Sequence, residues 1–558
     1  MKGDILLYNE TRKVALPDEN HRIILKQAKY SYVYYFSKMY WDPDLKRTVD
    51  DRIPVGRVCR DDPTMMYPNE KWIQILGEDL PLPHKTAKYM NVSPYLAFYK
   101  AAEKIGCLEA LRSAFPKVWD KLFALCVYVI DDESAVAQLF PFWGYHNYCG
   151  FDEPFSDSTI SELYKTVSED DWARDSFMED FQKQYFVAVP HPKEIAVALD
   201  GTNHLNRSKN NKYCEYGHPK VKGKGIPQTN TALIVDEMTG IPIYVEEFYG
   251  SLLDMIETPA TMERVRSLGF PKMLFAVDSG YASADCIESI SKDFEFTVMT
   301  PESYIVYKDM LAEYGTEIAR KEKYYIFSEN VYGICKNNVN CFSGKYNVYL
   351  FFDPDRAQEE IDSIHAKTQA LLELANKRKR YTDKFRDKFA PHLVISKMPK
   401  DPVTGKNFKV EIDNSVIQEE IENAGFFTVV SNSNHTPERI IKIQRMRDKD
   451  EKAFSRFNSF FGMTASGTHG TATYEGKNFM GFVALIVAES FRWYVKDLLK
   501  SSISTEVLIG ELRKLQCWKN NENIRKPATG ITKHQKEIFE CLGMDEQLVL
   551  TTINKLPH

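Results

Sequence analysis

Residues 194–200 read EIAVALD, and with NTALIVD (230–236), IPIYVEEF (241–248), KMLFAVD (272–278) and FEFTVMT (294–300) they decide the fold. Each is a short run rich in β-branched and aromatic residues and bounded by turn formers, the pattern of a buried strand. DEMTG, residues 236–240, joins the second and third runs as a hairpin. Helical patterns cover Pro259–Leu268 and Ala282–Ile290. The predicted order is three antiparallel strands, helix, parallel strand, helix, strand. The first and fourth strands both end in aspartate, at Asp200 and Asp278.

That order is the order of a ribonuclease-H-like α/β core, in which the ends of the first and fourth strands lie side by side where ligands gather in open α/β sheets. A third acid comes from KIQRMRDKDEKAFSRFNSF, residues 442–460, a helical pattern that puts Arg447 and Glu451 four apart and so on one face. From that face the guanidinium can contact a phosphate while the carboxylate reaches a metal. Three carboxylates from two strand ends and one helix are what a two-metal phosphoryl-transfer site requires, because hard divalent ions need several oxygen ligands at fixed geometry. Taken singly, a strand-end Asp among 78 acidic residues is ordinarily a turn or cap residue, and Glu451 sits on a charged helix beside Asp448 and Asp450. The joint arrangement sets the three apart. Asp236 and Asp254 read as structural; Thr202, Asn203 and His204 stand at the mouth of the expected site.

A chain of 558 residues is too long for one ordinary core, and 43% hydrophobic with 13% aromatic residues is enough to fill several. The formal net charge of −6 gives no bulk signal of a polyanionic partner, so any nucleic-acid surface must be local. The ten cysteines include no Cys-x-x-Cys pair, which argues against zinc modules and a disulfide framework and fits reduced thiols. Neither a signal peptide nor a membrane span is visible, so the expectation is a cytoplasmic protein with no membrane partner, nucleoid-associated when bound to DNA.

Pattern changes along the chain divide it as follows. Residues 1–75 form a strand-rich module, 76–190 a helical domain and 191–300 the first part of the core. Residues 301–430 form a β-rich insertion carrying one long charged helix around Pro354–Lys388; 431–500 complete the core, and 501–558 are a small helical unit. The helix expected at Phe479–Leu499 is apolar over most of its surface and reads as buried scaffold.

ALDGTN at Asp200, IPIYVEEFYGSLLD, FAVDSGYAS at Asp278 and the helix around Glu451 together resemble the DDE transposases of bacterial insertion sequences, in the IS-four-like superfamily with a β-strand domain inserted between the second Asp and the Glu. The similarity spans roughly residues 193–499. In that family the third motif reads Tyr, two residues, Arg, three residues, Glu, six residues, Lys; here those positions hold Gln444, Arg447, Glu451 and Asn458. The resemblance implies metal-dependent cleavage and strand transfer at element ends, with Asp200, Asp278 and Glu451 holding Mg²⁺ (Mn²⁺ substituting) and Arg447 assisting. It further implies double-stranded DNA, both transposon ends and target, as partner, end recognition by residues 76–190, and a homodimer in the end complex.

Basic clusters are the candidate DNA surface. Arg207, Lys209 and Lys212, then Lys220, Lys222 and Lys224, follow directly after the first Asp motif. Lys377–Arg380 with Lys384, Arg386 and Lys388 lie in the insertion, where a solvated face is an equal explanation. Two other readings stay open: a transposase-derived DNA-binding protein without cleavage activity, favoured by Gln444 and Asn458, and a ribonuclease-H-like nuclease acting on another nucleic acid.

Overall fold

The computed structural model describes residues 13–556 except 28–29, 70, 73–74, 76–87, 134–135, 152, 192–193, 218–224, 253, 320, 379, 403–404, 447–454, 459–467, 500–502, 520–524 and 528. The chain forms two compact units, Met1–Tyr89 with Cys517–Ala528, and Met90–Gln516 with Thr529–His558.

The first unit carries a five-stranded antiparallel sheet, in spatial order Val14–Ala15, Met65–Pro68, Ile53–Val58, Tyr30–Tyr35 and Arg22–Gln27. Its core gathers Val33, Val55, Met66 and Trp72. Met39–Asp42 and Arg47–Asp50 form a separate hairpin, its turn held by backbone N–H groups of Asp44 and Leu45 donating to Asp42 Oδ1.

The second unit is built on a mixed sheet. Its first five strands are β1 (Ile195–Leu205), β2 (Gln228–Asp236), β3 (Pro242–Tyr249), β4 (Met273–Val277) and β5 (Glu295–Thr300). They are followed by β6 (Tyr325–Ile326), β7 (Val331–Cys341), β8 (Gly344–Phe352) and β9 (Phe426–Ser431), and the spatial order is β3-β2-β1-β4-β5-β9-β8-β7-β6. β1, β2 and β3 are mutually antiparallel, while β4 runs parallel to β1 and β5 parallel to β4. The order 3-2-1-4-5 with these directions is the ribonuclease-H-like arrangement, so the fold is α/β with that core. The sheet does not stop at β5: β9 pairs antiparallel with it, and β8, β7 and β6 continue outward. Most strands of residues 301–430 therefore lengthen the core sheet. Among the described residues of that segment, Leu393–Lys397 and Phe408–Ile412 alone pair apart from it, over a small core of Ala375, Phe389, Leu393, Ile395 and Phe408.

The helix expected at Pro354–Lys388 is two helices, Pro354–Asn376 and Asp383–Phe389. Between them the chain turns so that the Tyr381 N–H donates to Asn407 Oδ1 and its ring packs on the small core. Burial of Tyr381 and Phe389 outweighs continuing one helix through adjacent cations.

Around the sheet lie α1 (Asp171–Ala188), α2 (Asp254–Ser267), α3 (Ala284–Ser291), α4 (Pro437–Met446) and α5 (Thr471–Tyr494). Every residue of α5 from Tyr474 to Phe491 is buried, as its nearly all-round apolar sequence requires. It packs against helices Ser93–Lys104, Trp119–Asp132 and Asp157–Ser168 as well as β3. Among the described residues no helix is long and apolar enough to cross a membrane.

Candidate active site

Asp200 and Asp278 are placed by strand register. β1 and β4 are parallel with Val277 opposite Leu199, the residues immediately before the two aspartates. Asp278 keeps an extended backbone (φ −78°, ψ 169°) and caps the short turn Ser279–Tyr281, its Oδ1 accepting from Ser279 N at 2.6 Å. Neighbouring strands are about 4.8 Å apart, so the two aspartates stand side by side where β4 ends. β1 continues to Leu205 while its parallel neighbour stops at Val277, which opens the β4 side of β1 at Asp200. The Asp200 Oδ1 accepts from its neighbour Gly201 N at 2.7 Å, and the residue is partly exposed.

The face on which these carboxylates emerge follows from alternation along the strands. Ala196 of β1 and Leu274 and Ala276 of β4 pack against Ile443 of α4; Asp200 and Asp278 are in phase with them. The next residue of α4, Gln444, donates from Nε2 to Thr297 Oγ1 of β5 at 2.7 Å. Thr297 pairs with Ala276, so α4 lies across β1, β4 and β5 on the aspartate face. Farther along β1 on this face, Thr202 Oγ1 donates to Asn458 Oδ1 at 3.1 Å, and the His204 ring meets Phe457 edge-on at 6.0 Å. Residues 455–458 are helical, and Arg456 anchors them by an ion pair to the fully buried Glu489 of α5, which also holds Arg492 at 3.1 Å. α5 completes the face over β2 and β3, where the Tyr474 and Thr231 hydroxyls share a 3.1 Å bond and Asn478 donates to Glu247 Oε1 at 2.6 Å.

Arg447 and Glu451 lie outside the described residues, as do Lys220, Lys222 and Lys224. Among the described residues no group of three or more His, Cys, Asp or Glu side chains could hold a metal ion. Asp200 and Asp278 by themselves supply two adjacent carboxylates, the hard oxygen donors that Mg²⁺ takes, and a further donor would have to come from elsewhere. Of the basic residues, Arg207, Lys209 and Lys212 are exposed just beyond the end of β1. Lys212 also pairs with Glu475 at 3.1 Å and lies 4.7 Å over the Tyr213 ring. Lys377, Arg378, Arg380, Lys384, Arg386 and Lys388 are exposed, with Arg386 paired to Asp383 and Asp387. Asp236 is structural: its carboxylate accepts from Met238 N at 2.9 Å in the hairpin turn, and from Tyr185 and Thr239 hydroxyls.

Sequence patterns alone did not bring out a buried polar layer beside the aspartates. His204 is fully buried, and desolvation, opposed by a hydrogen bond to Asn458 and aided by the nearby Lys477 charge of α5, brings its pKa down to about 4. Desolvation likewise brings Lys477 to about 8. The signal was the YEGKNF segment near the start of α5, where Glu475, Lys477 and Asn478 stand close together just before the apolar run MGFVALIVA.

No protein-family model matches this chain, and no curated protein does. Among solved structures it is similar to the piggyBac transposase synaptic complex with hairpin DNA, at 9% identity and a TM-score of 0.36 over 84% of this chain and 86% of that one. It is also similar to the Mos1 transposase paired-end complex with the left transposon end, at 14% identity and a TM-score of 0.14 over 41% of this chain and 65% of that one.

Proposed function

We propose that the protein is a DNA transposase of the DDE type, cutting double-stranded DNA at the ends of an insertion sequence and joining the freed ends to target DNA as a homodimer. The observation that carries this is the register of β1 and β4, which puts Asp200 beside Asp278 at the open end of a ribonuclease-H-like sheet. The motif resemblance supplies Glu451 as the third acid and Arg447 as its phosphate-contacting neighbour.

The described flanks support that choice of third acid. Ile443 packs over Ala196, and Asn458 bonds to Thr202, so both ends of the intervening segment are fixed to the aspartate face of β1. Glu451 is eight residues after Ile443, and Asp200 is four after Ala196. Glu451 falls between these two anchors in the sequence.

Asp200 and Asp278 would share one Mg²⁺ and Glu451 would help hold a second; bound there, such ions supply an activated water or 3′-hydroxyl and a neutralised leaving oxygen for in-line displacement. The chain's own part is positioning. β1 and β4 fix two carboxylates on a rigid sheet, the Asn458–Thr202 bond fixes the segment after Glu451, and Arg207, Lys209 and Lys212 attract the DNA backbone beyond the strand end.

A DNA-binding protein without cleavage activity is the second reading, and one observation favours it. Gln444 and Asn458, which replace the family's Tyr and Lys, make contacts within the fold, to Thr297 and Thr202. Incubation with Mg²⁺ or Mn²⁺ and a labelled duplex carrying the element's own ends separates the readings. Nicking at the ends, lost in Asp200→Asn, supports the enzyme; ends bound without a nick support the second reading; cleavage indifferent to end sequence supports a general nuclease.

A further inference from the structure

The N-terminal sheet has a second face that its core does not use. Val33 and Met66 point to the core, and alternation sends Tyr30, Tyr32 and Tyr34 of one strand to the other side. Strand pairing sets Arg57 opposite Tyr32 and Tyr67 opposite Arg57, so these share the outer side. The Arg57 guanidinium lies 4.5 Å from the Tyr30 ring centroid and 5.8 Å from that of Tyr67, and Arg60 lies 5.0 Å from Tyr30. The four tyrosines are half-buried and Arg60 is exposed. The result is an aromatic face with two guanidinium groups gathered at the Tyr30 ring, one of them reaching Tyr67.

Charge says what such a face would take. The unit containing it has 18 Lys plus Arg against 14 Asp plus Glu, a formal +4, in a chain whose total is −6; the rest of the protein is therefore −10. The positive charge is concentrated on the unit with the aromatic sheet. A polyanion with accessible flat rings satisfies both features, since phosphates meet the arginines and bases stack on tyrosine and guanidinium. In a duplex the base faces are already stacked on one another and cannot reach a sheet surface.

We propose that this outer face, centred on Tyr30, Arg57 and Arg60, binds single-stranded DNA. The site is independent of the metal chemistry assigned to Asp200 and Asp278. The test is fluorescence anisotropy of the full-length protein with labelled oligo-dT of about twenty nucleotides, beside a duplex of equal length and oligo-rU. Tyr30→Ala should weaken oligo-dT binding by about five- to hundredfold, the range for losing one stacked base. Tyr30→Phe, which keeps the ring, should bind as the parent does, and Arg60→Ala, at an exposed position that leaves the fold intact, should weaken binding severalfold. Asp200→Asn should bind unchanged, so loss of cleavage and loss of this site read out separately. Parental affinity in Arg60→Ala would overturn the proposal. So would equal losses for duplex and single strand, or tighter binding of oligo-rU than of oligo-dT.

Discussion

Thr202 and Asn458 are 256 positions apart in the chain and joined by a 3.1 Å hydrogen bond, Thr202 Oγ1 donating to Asn458 Oδ1. Thr202 is buried and Asn458 half-buried, and they meet on the β1 face that carries Asp200 two residues earlier. The bond therefore ties the chain after Glu451 to the strand that presents the first aspartate. Thr202→Val keeps the shape and removes the hydroxyl, leaving Asn458 Oδ1 without this donor at a cost of about 1–3 kcal/mol. Denaturant unfolding should show that loss, and half-saturation of cleavage should move to higher Mg²⁺. Thr202→Ser, which retains the donor, should restore both.

Asp200→Asn and Asp278→Asn keep the size of each side chain and remove one ligand charge. Each should reduce Mg²⁺-dependent end cleavage by several orders of magnitude, while binding of the end duplex in a mobility-shift assay changes less than about threefold, because the proposed phosphate contacts are those of the basic residues rather than of the aspartates. Glu451→Gln should match them. Full cleavage in any one of the three would remove that residue from the site.

His204 gives the stability a defined pH dependence. Its folded pKa of about 4 lies below the unfolded value of about 6.5, so the unfolded chain binds the extra proton between those limits. Stability from this group is complete above pH 6.5 and is lost as pH falls toward 4, by about 3 kcal/mol across the window. His204→Gln should be less stable than the parent at pH 7 yet show a flatter profile from 6.5 to 4, measured by urea unfolding at each pH. Identical slopes would show that other groups govern the acid limb.

The five core strands were legible because each is a short buried run with a distinct end, and their order follows from connection rules that leave few alternatives. Asp200 and Asp278 were legible because each follows a buried apolar run, AVAL or LFAV; only Asp278 stands at a strand end, since β1 continues through Asp200 to Leu205, against the expectation that the first strand stops there. The continuation of the sheet through β9, β8, β7 and β6 was not. Edge pairing between β5 and β9 joins residues about 130 positions apart in sequence, and nothing local in FEFTVMT or GFFTVV selects the partner. The polar layer of His204, Lys477 and Asn478 escaped because periodicity records which face of a helix is apolar, and α5 is buried on every side. Its few polar residues acquire meaning only once β2 and β3 are seen against them.

Gly476 separates a packing requirement from helix propensity. It lies in α5, where an added Cβ would come within 2.0 Å of the Tyr164 carbonyl oxygen on helix Asp157–Ser168. The obstacle is backbone, which cannot rotate away, and the two helices are also tied by the Ser168 hydroxyl donating to Glu475. Gly476→Ala must push the helices apart and should destabilise by about 1–3 kcal/mol or more, against the helical preference for alanine. Gly510, in helix Thr505–Leu512, has nothing within 4 Å of an added Cβ. Gly510→Ala should stabilise by about 0.5–1 kcal/mol, since only the propensity term acts there. Chemical denaturation of the pair gives opposite signs if close helix approach governs position 476. A stabilised Gly476→Ala would mean that the two helices do not pack this closely in solution.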